Sequence, residues 1–118
     1  MNIPVLETCS PSLIDVRGKF WQRWVEWRAK GGVLAAECAW PVEARFLSAC
    51  VDDLPDFRRE QVPYPLVDIS SVLLAGGVDP LETHPRLANE LPVHHPLADA
   101  RQSARLLVAA LSNIRRRA

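Results

Sequence analysis

Only one segment of this chain has the pattern of a buried β-strand, and this scarcity limits the folds that the chain can form. Residues 33–39 are a short apolar run without alternation, which predicts a strand covered on both faces. A second strand, at 65–67, is supported only by the tripeptide Pro-Leu-Val. An α/β layer needs more sheet than this to cover its helices. We therefore expect further strands to come from a longer chain or from a partner.

Residues that start and stop helices divide the rest of the chain into four predicted helices. Serine or aspartate caps, prolines in the first turn and Gly-Gly pairs mark their ends. The helices are expected at 11–30, 41–51, 69–75 and 96–115, with Ser10 and Asp68 as caps and with Gly31-Gly32 and Gly76-Gly77 as stops. Between them, we expect a polar surface loop at 52–63 and a long connection with one helical turn at 79–92.

Apolar periodicity predicts which faces of these helices are buried. The first helix has a wide aromatic face, whose tryptophans we interpret as core. Their alternative use, as platforms on which nucleic-acid bases stack, is less common at this spacing. The predicted core residues are Phe20, Trp21, Trp24, Val25, Trp27, Cys38, Val42, Phe46, Cys50, Ala100, Ala104, Leu107, Val108 and Leu111.

Composition limits the class of protein more than its function. The 118 residues suffice for a single domain, and 48% of them are hydrophobic, as in globular proteins. Lys and Arg together equal Asp and Glu in number, so the net charge is zero and does not point to nucleic acid. Three cysteines without a close pair predict reduced thiols. Without a signal or membrane-spanning pattern, we expect a cytoplasmic protein with no membrane partner.

The most informative motif is His94-His95-Pro96-Leu97-Ala98-Asp99-Ala100. It places an imidazole in a loop and a carboxylate in the first turn of a helix. The helix dipole keeps such a carboxylate ionised, which suits a ligand of a divalent metal. An imidazole just outside the helix could take a proton from a metal-bound water. The alternative is structural, with the histidines as caps and Asp99 as a favourable acid of the first turn.

This motif resembles the third motif of the DEDDh family of 3'-5' exonucleases, the RNase T and proofreading-subunit type. A second stretch, Val42-Glu43-Ala44-Arg45-Phe46-Leu47, is similar to the family's second motif. The resemblance implies a ribonuclease H-like α/β fold without its N-terminal strands. It also implies His94 as the general base and Asp99 and Glu43 as ligands of Mg²⁺ or Mn²⁺. Glu37, at the end of the predicted strand, could support that site.

The sequence departs from the family in ways that affect the chemistry. Glu43 stands where the family has Asp, and Ala39 stands where many members have Asn. The family's first motif, Asp-x-Glu, does not occur in the sequence. Two-metal hydrolysis needs ions about 3.5–4 Å apart, and two carboxylates are too few to hold them. We therefore expect the lone chain to be inactive.

Two functional hypotheses follow. The first is an exonuclease-like domain that acts on single-stranded DNA or RNA 3' ends once another chain or a longer chain supplies the missing strands. The second is a catalytically inactive nuclease-fold remnant that serves as a protein-interaction or self-association module, through an uncovered sheet edge or its tryptophan-bearing face. We expect self-association under either hypothesis.

Overall fold

The computed structural model describes residues 12–117, which form a helix-rich α/β structure with a small sheet. The helices are α1 (Leu13–Ala29), α2 (Ala44–Asp53), α3 (Pro55–Arg58), α4 (Ile69–Ala75) and α5 (Pro96–Arg117), and the strands are β1 (Leu34–Ala36) and β2 (Leu66–Asp68). Single turns of 3₁₀-helix occupy Arg59–Gln61 and Ala88–Glu90, and Ala39–Glu43 is an irregular helical segment with a kink at the extended residue Trp40. The strands pair in parallel as a two-stranded sheet. The predicted scarcity of sheet is confirmed.

The described chain divides into two compact units. Unit 1 contains residues 12–34 and Ala39–Val67, and unit 2 contains Ala35–Cys38 and residues 68–117. All four tryptophans of the sequence lie in unit 1. No helix within residues 12–117 is both long and apolar enough to cross a membrane. The expectation of a single exonuclease-like domain stays a prediction.

Unit 1 is built around an aromatic core between α1 and α2. Trp21, Trp24 and Cys50 are buried, and Phe20 meets Phe46 edge to face with 5.0 Å between ring centroids. The indole nitrogens of Trp21 and Trp24 donate to the side chain and the backbone carbonyl of Gln61, at 2.8 and 2.7 Å. Buried indoles need such acceptors. The core prediction for these residues is confirmed.

The segment 52–63 lies mostly at the surface, as its polarity predicts, but it is largely helical rather than a loop. The α2 helix continues to Asp53, and Pro55 starts the short helix α3. Arg58 is buried and donates to the backbone carbonyl of Cys50 at 2.8 Å. Asp53 accepts two hydrogen bonds from Arg17, at 2.6 and 3.0 Å. These polar residues are ordered because they pair with partners that sequence spacing does not reveal.

Three predicted core residues of the N-terminal half are instead exposed. Trp27 is 59% exposed and lies under the ammonium of Lys30, 5.2 Å from the ring centroid. Val42 is 70% exposed, because the extended backbone of Trp40 interrupts the helix and α2 begins only at Ala44. Cys38 is exposed as well.

The first strand is also shorter and less buried than its apolar run predicts. β1 contains only Leu34, Ala35 and Ala36, of which Ala35 is exposed and its neighbours are half-buried. A strand with one partner in a two-stranded sheet cannot be covered as a central strand is.

Unit 2 packs α4 against α5. Ile69, Leu73 and Ala110 are buried, with half-buried Leu106 and Leu107 beside them. The bounds of α4 agree with the predicted 69–75. Asp68 caps its N-terminus by accepting from the amide of Ser71, and the helix ends at Gly76. Gly77 then adopts a φ of 79°, the left-handed conformation that glycine tolerates best.

The helix α5 turns a different face to the core than its periodicity predicts. Ala98 and Ala110 are buried, whereas Ala100, Ala104, Val108 and Leu111 are exposed and Leu107 is half-buried. The reason lies at Gly76, which has no side chain and therefore allows Ala110 to approach its backbone closely: a Cβ at Gly76 would lie 3.2 Å from the Cβ of Ala110.

Local signals place the first helix to within two residues. α1 begins at Leu13 and is capped by Ser12, whose hydroxyl accepts from the amide of Asp15 at 3.2 Å. The predicted cap, Ser10, and Pro11 lie outside the described residues. The predicted stop is confirmed, because α1 ends at Ala29 and Gly31 has a φ of 83°.

Candidate functional site

The His94–Asp99 motif forms a compact structural feature at the start of α5. Pro96 opens the helix, and the carbonyl of His95 accepts from the amide of Asp99 at 2.9 Å. The Asp99 carboxylate turns back toward the loop, where its Oδ1 accepts from the amide of His94 at 3.2 Å. The structure therefore brings His94 and Asp99 together, through the backbone of His94.

His94 holds an unusual backbone conformation. Its φ of 67° lies in the left-handed region, which is uncommon for residues other than glycine and costs free energy. The hydrogen bond to Asp99 fixes that turn. The imidazole itself is exposed, so the geometry leaves it accessible to solvent.

Asp99 also pairs with a cation that sequence reasoning missed. Nη1 of Arg86 donates to Oδ1 of Asp99 at 2.8 Å. This bond lowers the pKa of Asp99, and the amide of His94 contributes in the same direction. The carboxylate is thus held ionised, as the motif predicts, and the guanidinium of Arg86 is its partner. A divalent ion at Oδ1 would have to compete with Arg86.

A second carboxylate, which is buried, ties the connection before α5 to the helix. Glu90 is 2% exposed, and Arg105 donates to both of its oxygens, at 2.7 and 2.8 Å. The amide of Leu87 donates to Glu90 as well, at 3.0 Å. Arg105 is the main cause that lowers the pKa of Glu90 to about 2. A buried charge is tolerated when it is paired and hydrogen-bonded in this way.

Arg86 connects the Asp99 carboxylate to the backbone of Glu90. The same Nη1 that binds Asp99 also donates to the backbone carbonyl of Glu90 at 2.8 Å. Arg86, Glu90 and Arg105 thus anchor residues 86–90 on α5. No local pattern in the sequence marks these three residues. The one available hint was the presence of charged residues of both signs in the proline-rich connection and in α5.

Glu37 lies nearer to Asp99 than its place in the sequence suggests. Both residues line one open cavity of about 250 Å³ in unit 2, together with Ser103 and Ala104. The backbone carbonyl of Glu37 accepts from the amide of Ser70 at 3.0 Å, which fixes the end of β1 against the start of α4. The cavity therefore carries two carboxylates from distant parts of the chain.

Glu43, the other predicted metal ligand, is exposed and lies in unit 1, at the end of the kinked segment Ala39–Glu43 before α2. Its convergence with His94 and Asp99 stays a prediction. Within residues 12–117, no group of three or more His, Cys, Asp or Glu side chains is arranged to hold a metal ion. The described residues around Asp99 do not by themselves fit the Mg²⁺ or Mn²⁺ that the resemblance implies, and we derive no hydrolytic step through it.

The other prominent feature of unit 2 is an exposed apolar row along α5, which we call the α5 stripe. It consists of Leu97, Ala100, Ala104, Val108 and Leu111, all of them exposed. At 100° per residue these five side chains lie within a sector of about 80°. Such a continuous apolar row on a helix is typical of a surface that binds another protein.

Comparison with known proteins adds no relative. Scans against protein-family models, curated proteins and solved structures found no match to this chain.

Proposed function

We propose that this chain is a protein-interaction module, and that a second copy of the chain is the partner of its α5 stripe. The observation that carries the proposal is the exposure of this row on a helix whose neighbouring face, with Leu106, Leu107 and Ala110, already packs on α4. Val108 is 63% exposed and Leu97 is 53% exposed. Burying such side chains stabilises an association by about 1.5–3 kcal/mol each when burial is complete.

The spacing of the stripe favours a copy of the same helix as the partner. Its positions are separated by three, four, four and three residues, which is the same sequence of steps in both directions. An antiparallel pair of α5 helices centred on Ala104 would therefore match every position. Leu97 would face Leu111 of the second copy, and Ala100 would face Val108. The small Ala104 at the centre allows the two helices to approach closely, and a two-fold axis makes such an interface self-complementary.

The stripe sets the expected strength of the association. From Leu97 to Leu111 the helix extends about 21 Å, which is short for an interface of standard size. We therefore expect a homodimer with a dissociation constant in the micromolar range, which dissociates when the protein is diluted.

Analytical ultracentrifugation of two matched variants tests the proposal. Ala104→Glu places a charge at the centre of the stripe, and we expect it to give a monomer at concentrations where the wild-type chain is dimeric. Ala109→Glu adds the same charge at an exposed position of α5 outside the stripe, and it should leave the dimer intact. A monomeric wild-type chain at about 100 μM, or a dimeric Ala104→Glu variant, would contradict the proposal.

Cross-linking tests the antiparallel register separately. In a background with Cys9 and Cys38 replaced by Ser, Ala104→Cys should form a disulfide with its own copy, because position 104 lies on the two-fold axis. Leu97→Cys should cross-link to Leu111→Cys in a mixture but should not cross-link to itself. Efficient Leu97–Leu97 cross-linking would indicate a parallel pair and overturn the register.

A second candidate function is the exonuclease-like domain of ribonuclease H-like fold that the motifs resemble. One observation favours it: Asp99 and Glu37 line the same cavity, beside the His94 loop. On this proposal, Glu43 and Asp99 bind Mg²⁺ or Mn²⁺ and His94 is the general base at a DNA or RNA 3' end. Further carboxylates would have to come from another polypeptide or a longer chain.

Paramagnetic broadening by Mn²⁺ tests this candidate on the chain itself. Under it, added Mn²⁺ should broaden the amide signals of residues 94–104 selectively in NMR spectra. Both Asp99→Asn and Glu43→Gln should abolish the effect, whereas Asp56→Asn, at an exposed acid of α3, should not. Broadening that persists in Asp99→Asn, or that is equally strong near every acidic surface residue, would reject the metal site.

A further inference from the structure

Unit 2 contains a larger cavity that neither of these functions uses. It lies between α4, α5 and the connection 79–93, and its volume is about 520 Å³. Cavities of about 300–1,000 Å³ are the usual size of small-molecule sites. The cavity is formed within one compact unit, by elements that the Glu90–Arg105 and Arg86–Asp99 pairs hold in place.

Part of the wall of this cavity is apolar. Ile69 and Leu73 of α4 and Leu106 of α5 contribute to it, and Leu91 and Val93 contribute from the connection. Ile69 and Leu73 are also part of the core of unit 2. A ligand that enters would therefore gain by burying an apolar body against fixed side chains.

The positive and negative charges on the cavity wall do not balance. Arg86 is the one arginine among the lining residues, and its charge is compensated by Asp99 at 2.8 Å. Glu37 and Glu82 also line the cavity, as does His84. Neither glutamate forms an ion pair with another of the described residues. The wall therefore carries uncompensated negative charge beside its apolar part.

We infer that this cavity binds a small amine, whose alkyl body lies against Leu73 and Leu106 and whose ammonium group is attracted by Glu37 and Glu82. An ammonium donates up to three hydrogen bonds, and both carboxylates accept. Ser103 and Thr83 also line the cavity and offer hydroxyl acceptors. The inference is independent of the α5 stripe, and it shares Glu37 with the smaller cavity beside Asp99.

Three probes with one alkyl chain and different head groups test the ligand class. Hexylamine, hexanol and hexanoate are titrated into the ¹⁵N-labelled chain, and amide shifts are followed by NMR. We expect saturable shifts at Leu73, Leu91 and Leu106, with hexylamine binding at least about tenfold more tightly than hexanol, which corresponds to about 1.4 kcal/mol. Hexanoate should bind most weakly. Tighter binding of hexanoate than of hexylamine, or shifts confined to other residues, would overturn the inference.

A pair of variants tests the carboxylates. Glu37→Gln combined with Glu82→Gln should reduce hexylamine binding about tenfold, to the level of hexanol, and should leave hexanol binding unchanged. Both side chains are exposed, so the folded structure is expected to tolerate the change. Glu60→Gln, at an exposed glutamate of unit 1, is the control and should have no effect. Undiminished hexylamine binding in the double variant would contradict the role of Glu37 and Glu82 in attracting the ammonium group.

Discussion

The guanidinium of Arg86 and the carboxylate of Asp99 lie 2.8 Å apart. Arg86 is therefore a structural partner of the His94–Asp99 motif. Asp99 is ionised, as its place at a helix start predicts, but its Oδ1 accepts from Arg86 and from the amide of His94. The pair orders the entry to α5 and stabilises the backbone that borders both cavities of unit 2.

Replacing Arg86 should release Asp99 from its pairing. In Arg86→Gln we expect the pKa of Asp99 to rise toward its ordinary value, because the hydrogen bond from Arg86 is the main cause that lowers it. A ¹³C NMR titration of the aspartate carboxyl groups measures the change. Arg101→Gln, at an exposed arginine of the same helix, is the control and should leave the Asp99 titration unaltered; an equal shift in both variants would refute the assignment.

Unit 2 should lose stability at acid pH through Glu90. Its pKa is lowered in the fold from 4.5 to about 2, so the ionised group stabilises the folded state above the unfolded pKa. That stabilisation should be constant above about pH 5 and should decrease as the pH falls from about 4.5 toward about 2. Asp99, whose pKa is also lowered, acts in the same direction in unit 2, and Asp53 does so in unit 1.

Comparing variants isolates the contribution of Glu90. Glu90→Gln should be less stable at neutral pH, because an amide cannot accept both hydrogen bonds from Arg105, and its stability should vary less with pH. Urea unfolding followed by circular dichroism between about pH 7 and about pH 3 measures both effects. Glu82→Gln is the exposed control. An unchanged pH profile in Glu90→Gln would show that other groups dominate acid unfolding.

The cysteines of the two units should differ in reactivity. Cys50 is fully buried, and burial raises the pKa of its thiol, whereas Cys38 is exposed. In a Cys9→Ser variant, a disulfide reagent such as Ellman's should modify Cys38 first. Cys50 should react at least about a hundredfold more slowly, on opening of the unit. Simultaneous release of both thiols in the folded protein would contradict the core assignment.

Gly76 should resist substitution although its backbone is not left-handed. A Cβ there would lie 3.2 Å from both the Cβ and the carbonyl oxygen of Ala110, so Gly76→Ala must push α4 and α5 apart. We expect destabilisation of about 1–3 kcal/mol, as for other overpacked cores, measured by urea unfolding. Ala75→Ser, at the exposed neighbour, should change stability by less than about 0.5 kcal/mol. A stabilised Gly76→Ala variant would be inconsistent with the packing.

Elements with local signals could be predicted from the sequence, and elements that depend on distant partners could not. The helix α4 agrees with its predicted bounds, because Asp68 and the Gly-Gly pair act within one turn of its ends. The polarity of segment 52–61 predicts a loop, yet the segment is ordered by Arg17 and the two buried indoles, whose bonds to it span 36 to 40 residues. Spacing within a segment carries no information about such partners.

The orientation of α5 and the partner of Asp99 were missed for a related reason. The helix has apolar residues on two sides, and periodicity alone does not say which side meets α4; the absent side chain of Gly76 decides it. Proximity of His94 and Asp99 follows from the helix start and could be predicted. Arg86 lies thirteen residues before Asp99 in a connection without a repeating pattern, so no local signal indicates the ion pair.

The confinement of every tryptophan to unit 1 gives the protein a built-in reporter. Intrinsic fluorescence originates there, whereas the far-ultraviolet signal sums the helices of both halves. Recording the two signals during one thermal scan therefore distinguishes concerted melting from stepwise loss of one half, without a label or an engineered probe. Coincident curves would indicate a single cooperative block.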